Sequence, residues 1–150
     1  MQFRGTTSLS LDAKGRMAIP ARYRDALTVQ CGGDLVLTAH PHGCLLVYPL
    51  PEWDEMCKQI ENIPALDRTA AALKRLLVGY ARDEQMDTAG RVLIAPELRK
   101  FADLQKQVCL VGLGRHFELW PEEAWTLQSQ ATKEMFAGDI NVPGLENLQL

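Results

Sequence analysis

Apolar and polar residues alternate through Ser8-Leu9-Ser10-Leu11, the pattern of a half-buried strand. Asp12 to Gly15 supplies turn residues and Arg16 to Ile19 returns as a second strand, so the chain is expected to open with a hairpin. Pro20 starts a short helical stretch through Leu27, and the apolar runs Leu35 to Thr38 and Leu45 to Tyr48 read as strands joined by the loop His40-Pro-His-Gly43. A helix follows from about Pro51, with Trp53, Met56, Cys57 and Ile60 on one stripe. Asp67 suits the N-cap of a connecting helix, in which Leu73, Leu76, Leu77 and Tyr80 share a face opposite Arg68, Lys74 and Arg75.

The plan then starts again. Strands are predicted on either side of Asp87 to Gly90, a short helix over Pro96 to Phe101, strands at Val108 to Val111 and Phe117 to Trp120, and a helix from Pro121 whose Glu122 and Glu123 favour its N-terminal dipole. The tail from Gly138, with Pro143 and Gly144, is expected to be loose. The repetition extends to residues: Asp12-Ala-Lys-Gly-Arg16 returns as Asp87-Thr-Ala-Gly-Arg91, and Ile19/Ile94 and Arg24/Arg99 keep the same offset of 75. Tyr48-Pro49 and Trp53 answer Trp120-Pro121 and Trp125 at an offset of 72, which places a three-residue deletion in the second copy, most simply at the Gly32-Gly33 loop. An internal repeat of this kind implies two units that bury their apolar faces together, in a pseudo-symmetric single domain.

With 150 residues, 47% of them hydrophobic, the chain can bury one sizeable core. Met1-Gln-Phe-Arg-Gly5 is not the apolar stretch of a signal peptide, no segment approaches the roughly 20 apolar residues of a membrane helix, and a cytoplasmic protein is expected. Cys31, Cys44, Cys57 and Cys109 form no CxxC pair and are expected to be free thiols. The net charge of -3 conceals an asymmetry: residues 1 to 24 carry Arg4, Lys14, Arg16, Arg22 and Arg24 against Asp12 alone, a local +4. Residues 82 to 100 sum to zero. A nucleic acid needs only a basic footprint, so the first copy is expected to hold more phosphate affinity; the competing reading is an ordinary solvated face.

In the repeated motif the aspartate can accept from turn N–H groups, the glycine can take positive φ, and the arginine's fork of donors fits carboxylate, phosphate or a guanine edge. If each arginine pairs only with its own aspartate, the motif is structural. Other chemistry finds little support. P-loop, H-E-x-x-H and G-x-S-x-G patterns are absent, and Gly112-Leu-Gly114 lacks the third glycine of a dinucleotide fingerprint, so no enzyme is expected. His40, His42 and Cys44 could share one side of a strand as metal ligands, but the proline and glycine among them favour a loop, and no metal or other cofactor is expected. Trp53, Trp120 and Trp125 suit core packing better than an exposed partner site. RNA is disfavoured because no aromatic platform accompanies the basic loop. A structural oligomer that binds no nucleic acid is the remaining alternative.

The twin motifs, with Phe3-Arg4-Gly5 ahead, Ile19-Pro20-Ala21-Arg22-Tyr23-Arg24 and Tyr48-Pro49-Leu50-Pro51-Glu52-Trp53 behind, resemble the MraZ family of bacterial transcriptional regulators over nearly the whole chain. The resemblance implies an α+β fold of tandem pseudo-symmetric SpoVT/AbrB-like β-barrel domains with short helices. On that plan residues 1–66 form the first repeat, 67–81 the connecting helix, 82–137 the second repeat and 138–150 the tail. It also implies a homo-oligomeric ring, an octamer or dodecamer, that associates with the nucleoid. Its partner would be double-stranded DNA, at short direct repeats in the promoter of its own division and cell-wall gene cluster, which it would repress. Neither membrane nor small-molecule substrate is implied. Arg16 and Arg91 become the DNA-contacting arginines of the two DxxxR loops. With the basic footprint, the candidate DNA-binding set is Arg4, Lys14, Arg16, Arg22, Arg24 and Arg91, and Asp12, Gly15, Asp87 and Gly90 are the structural residues of the motif.

Overall fold

A computed structural model describes residues 2–150; Met1, the first residue of the expected first repeat, lies outside them. The first half runs β1 (Phe3–Ser10), β2 (Arg16–Ala18), α1 (Ala21–Cys31), β3 (Asp34–Ala39), β4 (Leu45–Pro49) and α2 (Leu50–Glu61). After the connecting helix α3 (Arg68–Gly79) the same order returns as β5 (Arg82–Gln85), β6 (Arg91–Leu93), α4 (Pro96–Phe101), β7 (Gln107–Gly114), β8 (Phe117–Pro121) and α5 (Glu122–Met135). Counterparts differ in length, β1 having 8 residues to the 4 of β5 and α1 having 11 to the 6 of α4, and the shorter α4 stands where the helix before the Gly32-Gly33 turn stands in the first copy.

The two halves do not fold side by side; their strands interleave. One six-stranded antiparallel sheet has the order β1-β7-β8-β4-β3-β5, and β2 pairs with β6 in a separate ribbon. Exchanging each strand for its repeat counterpart reverses the order and leaves it unchanged, which is a pseudo-two-fold axis running between β4 and β8 and through the ribbon. The expected opening hairpin is therefore not formed. Asp12 N–H donates to the Arg16 carbonyl at 3.0 Å and closes the turn, but β1 then pairs with β7 and β2 with β6. Closed barrels are not found among the described residues either. The sheet is open, because β1 and β5 each have a partner in the other half and a free edge beyond it. Both edge strands are polar, Thr- and Ser-rich in β1 and Arg-Asp-Glu-Gln in β5, as suits an unpaired edge.

The four inner strands are apolar on both faces because both are covered. Leu35, Leu37, Leu45, Val47, Val108, Leu110, Phe117 and Leu119 face α1, α4 and the ribbon, meeting Met17, Val92, Ile19, Ile94, Leu27 and Leu98 in a core drawn from both halves. Phe3, Tyr23 and Phe117 pack there with ring centroids 4.5 to 5.7 Å apart, and the Tyr23 hydroxyl donates to the Arg4 carbonyl. The other face of the sheet meets the helices in two smaller clusters, one of Cys109, Val111 and Trp120 with Cys44 just ahead of β4, the other of Leu46 with Ile60 of α2 and Leu77 of α3. Trp53 and Trp120 are buried, Trp125 partly so, in line with a packing role. Asp67 caps α3 by accepting from Ala70 N–H at 2.9 Å, yet of that helix's expected apolar face only Leu77 is buried, while Leu73 and Tyr80 stay exposed.

Candidate nucleic-acid interface

Both DxxxR loops adopt one geometry. In the first, Asp12 Oδ1 accepts from the backbone N–H groups of Lys14 and Arg16, both at 2.9 Å, and Oδ2 accepts from Arg16 Nε at 2.7 Å. In the second, Asp87 Oδ1 accepts from Ala89 N–H at 3.0 Å and Arg91 N–H at 2.8 Å, and Oδ2 from Arg91 Nε at 2.9 Å. The Arg16 N–H bond, then the arginine side chain, hold the Asp12 carboxyl below its ordinary value against partial desolvation. Asp87 is lowered likewise, chiefly by the Arg91 N–H. Gly15 and Gly90 close the turns at φ 81° and 78°, where a side chain is disfavoured.

The aspartate occupies only Nε of each arginine. Among the described residues the terminal nitrogens of Arg16 and Arg91 have no partner, and the side chains are 28% and 38% exposed. The motif is thus a brace that leaves a binding fork free. The ribbon brings the two forks together: Arg16 pairs with Leu93, Met17 with Val92 and Ala18 with Arg91. Paired residues project to the same face. Met17 and Val92, 0% and 1% exposed, point into the core, so Arg16, Ala18, Arg91 and Leu93 form the outer face. Arg16 and Arg91 are diagonal neighbours there, with Cα atoms roughly 7–8 Å apart by strand geometry. The ribbon's ends are tied by Ile19 N–H to the Gly90 carbonyl at 2.8 Å and Ile94 N–H to the Gly15 carbonyl at 2.9 Å.

One family model, described as "MraZ protein, putative antitoxin-like", matches this chain twice, over residues 2–76 and 77–140. A protein of Methylobacillus flagellatus named "Transcriptional regulator MraZ" is 55% identical over 141 residues, 94% of either chain. Proteins of the same name from Dechloromonas aromatica and Aromatoleum aromaticum are 54% and 55% identical over 148 residues, 99% of either chain. The chain belongs to the MraZ family. The two matched segments meet inside α3, and each carries one DxxxR loop.

In this member of the MraZ family the other candidate residues divide. Lys14 lies in the first loop, exposed. Arg24 crosses to the second half: its Nε donates to the Ile19 carbonyl at 2.6 Å and its guanidinium covers Gly90. Arg22 is fastened to β1 instead, donating to Thr7 Oγ1 and lying 4.6 Å over the Tyr23 ring. Arg4 sits near the far end of β1, roughly 20 Å along the strand from Ser10. Arg99, counterpart of Arg24, covers Gly15 and donates from Nε to the Ile94 carbonyl at 2.9 Å. Arg99 was visible in the sequence only as the echo of Arg24. The exchange redistributes charge, since each half's loop takes an arginine from the other, and a division by sequence segment does not describe either loop's surroundings.

His40 and His42 lie at the β3–β4 turn, where His42 N–H donates to His40 Nδ1 at 2.9 Å, and Cys44 is buried beside it with its thiol pushed up to about 12 by desolvation. Among the described residues no His, Cys, Asp and Glu cluster could hold a metal ion, and no helix is long and apolar enough to cross a membrane.

Proposed function

We propose that this chain is a sequence-specific DNA-binding transcriptional regulator that presents Arg16 and Arg91 to short direct repeats of double-stranded DNA. The observation that carries the reading is the pairing of two aspartate-held arginines on one outward face of a two-stranded ribbon. A ribbon of that width enters a major groove, and a fork with free terminal nitrogens fits the O6/N7 edge of guanine or a phosphate. Holding Nε restricts the fork before DNA arrives, which lowers the ordering cost of binding. The regulators of 54–55% identity support the same reading by name.

In this proposal the regulated promoter is that of its own division and cell-wall gene cluster, the effect is repression, and the protein lies with the nucleoid. Its two halves act as tandem SpoVT/AbrB-like units, residues 1–66 and 82–137 joined through 67–81, within a ring of copies. A ring lets ribbons that bind weakly one by one engage several direct repeats, gaining avidity through effective concentration. This reconciles DNA binding with a net charge of -3. Selection of genomic DNA fragments by the purified protein tests the reading: recovery of short tandem direct repeats is expected, and random recovery overturns it.

A further inference from the structure

The two DxxxR loops share one backbone frame, and at one position that frame holds different chemistry. Leu11 N–H, just ahead of the first loop, donates to the Lys106 carbonyl at 2.8 Å. Its counterpart Met86 N–H, ahead of the second loop, donates to the Gly33 carbonyl at 2.9 Å. A lysine thus stands beside the first loop where a glycine stands beside the second. An open cavity of about 450 Å³ adjoins the first loop, lined by Asp12, Ala13, Gly15, Arg99, Gln105 and Lys106 among others. Arg99 spends only Nε on Ile94, and its terminal nitrogens have no partner among the described residues. Lys106 is exposed. Asp12 is the one carboxylate of the lining, and Arg16 already pairs with it at 2.7 Å.

We propose that Arg99 and Lys106 form a phosphate-binding subsite beside the first loop, which takes a backbone phosphate of the DNA whose bases face the ribbon. This rests on the DNA-binding reading above. Arg99 offers two donors at a fixed angle and Lys106 a mobile point charge, a pair suited to a phosphodiester oxygen rather than to a base edge. Gly15 is what admits Arg99, whose guanidinium carbon lies 2.6 Å from the place of a Cβ at that position. The second loop keeps the arginine, as Arg24 over Gly90, and lacks the lysine. One half of the ribbon therefore grips the backbone harder than the other and sets the orientation of a pseudo-symmetric ribbon on an asymmetric repeat.

The test is the salt dependence of binding of the full-length protein to a duplex bearing the selected repeats and to a scrambled duplex of equal length. Lys106→Gln and Arg99→Gln are each expected to weaken both duplexes by a similar factor and to reduce the magnitude of the slope of log K against log salt by about 1. Lys106→Gln keeps the backbone bond to Leu11, so it reports on the charge even if Arg99→Gln disturbs the fold. Gly33→Lys, which tests the missing charge, sits at φ 84° beside Met86 and is avoided. A Lys106→Gln protein with the parental slope and parental affinity overturns the subsite while leaving the DNA reading intact. A parent that binds neither duplex overturns the DNA reading and the subsite with it.

Discussion

The guanidinium carbon of Arg99 lies 2.6 Å from the point where a Cβ on Gly15 would stand, so an arginine from the second half fills the space that a side chain in the first half would need. Arg24 stands to Gly90 in the same relation. Gly15→Ala must both adopt φ 81° and displace Arg99, and it is expected to cost about 1–3 kcal/mol in urea unfolding. Removing the obstacle with Arg99→Ala in the same chain recovers only the steric part, because the backbone strain remains. A double-mutant cycle reads that coupling at about 0.5–3 kcal/mol, and strictly additive losses would contradict the contact.

Thr38 tests how the connecting helix is held to the sheet. Its hydroxyl, fully buried in β3, donates to the Leu77 carbonyl of α3 at 2.6 Å. Thr38→Val keeps the volume and leaves that carbonyl without its donor, at an expected cost of about 1–3 kcal/mol. Thr38→Ser retains the donor and should lose less, the difference being measured by chemical denaturation of the two variants. Equal stability of valine and threonine proteins would mean that α3 is not anchored through this bond.

Acid should destabilise the protein in two stages. His40 and His116 have folded-state values below the ordinary 6.5, burial being the main cause in each and the nearby Glu118 opposing it. A depressed value favours the neutral ring in the fold, so this contribution is complete above the unfolded value and is lost as pH falls below about 6.5. Asp12 and Asp87 are depressed from 3.8, so their contribution is complete above the ordinary aspartate range and is lost only as pH falls through the lower folded values. Melting temperature followed from pH 7 to 5 should therefore fall less in a His40→Gln/His116→Gln protein than in the parent. Below pH 4 the Asp12→Asn/Asp87→Asn protein should show the shallower fall. A parental acid profile in both variants would assign the effect to other groups.

Much of this arrangement is readable before folding, and what is not readable has a physical reason. The apolar run Leu35-Val36-Leu37-Thr38 and the Pro-led helix starts mark strands and helices correctly, because both depend on residues close in sequence. Pairing does not. Ser8-Leu9-Ser10 has the same alternation whether its neighbour is β2 or β7, and the near turn at Asp12 makes β2 the natural expectation, although β7 takes the strand. The Asp–Arg brace was legible from spacing; the placement of both forks on one face came from β2 pairing with β6 across the repeat. Charge summed by segment assigned Arg24 to the first loop and Arg99 to the second, whereas the interleaved halves exchange them. The face of α3 bearing Leu73 and Tyr80 matched a buried stripe by period alone, and period does not say whether a partner covers it.

Arg16 and Arg91 share one ribbon face, so their effects on DNA binding should be coupled rather than independent. Arg16→Ala is expected to weaken binding to the selected repeat sharply, by about 1–3 kcal/mol per ribbon, or roughly five- to 150-fold, with the fold and the size in solution unchanged. Arg91→Ala should cost less, since Lys14, Arg99 and Lys106 stand at the first loop, whereas at the second Arg24 covers Gly90 but Ala89 and Gly33 take the places of the two lysines. The double variant should lose less than the two losses combined, because a ribbon that has lost one fork no longer seats the other. Asp12→Asn should fall between parent and Arg16→Ala, since it leaves the Arg16 charge but removes the carboxylate that orients Nε. Titrations of a labelled repeat, with light scattering on the same samples, separate these outcomes. Loss of the proposed assembly in Arg16→Ala, with the DNA affinity of whatever stays assembled unchanged, would move the two arginines from the proposed DNA interface to contacts between subunits.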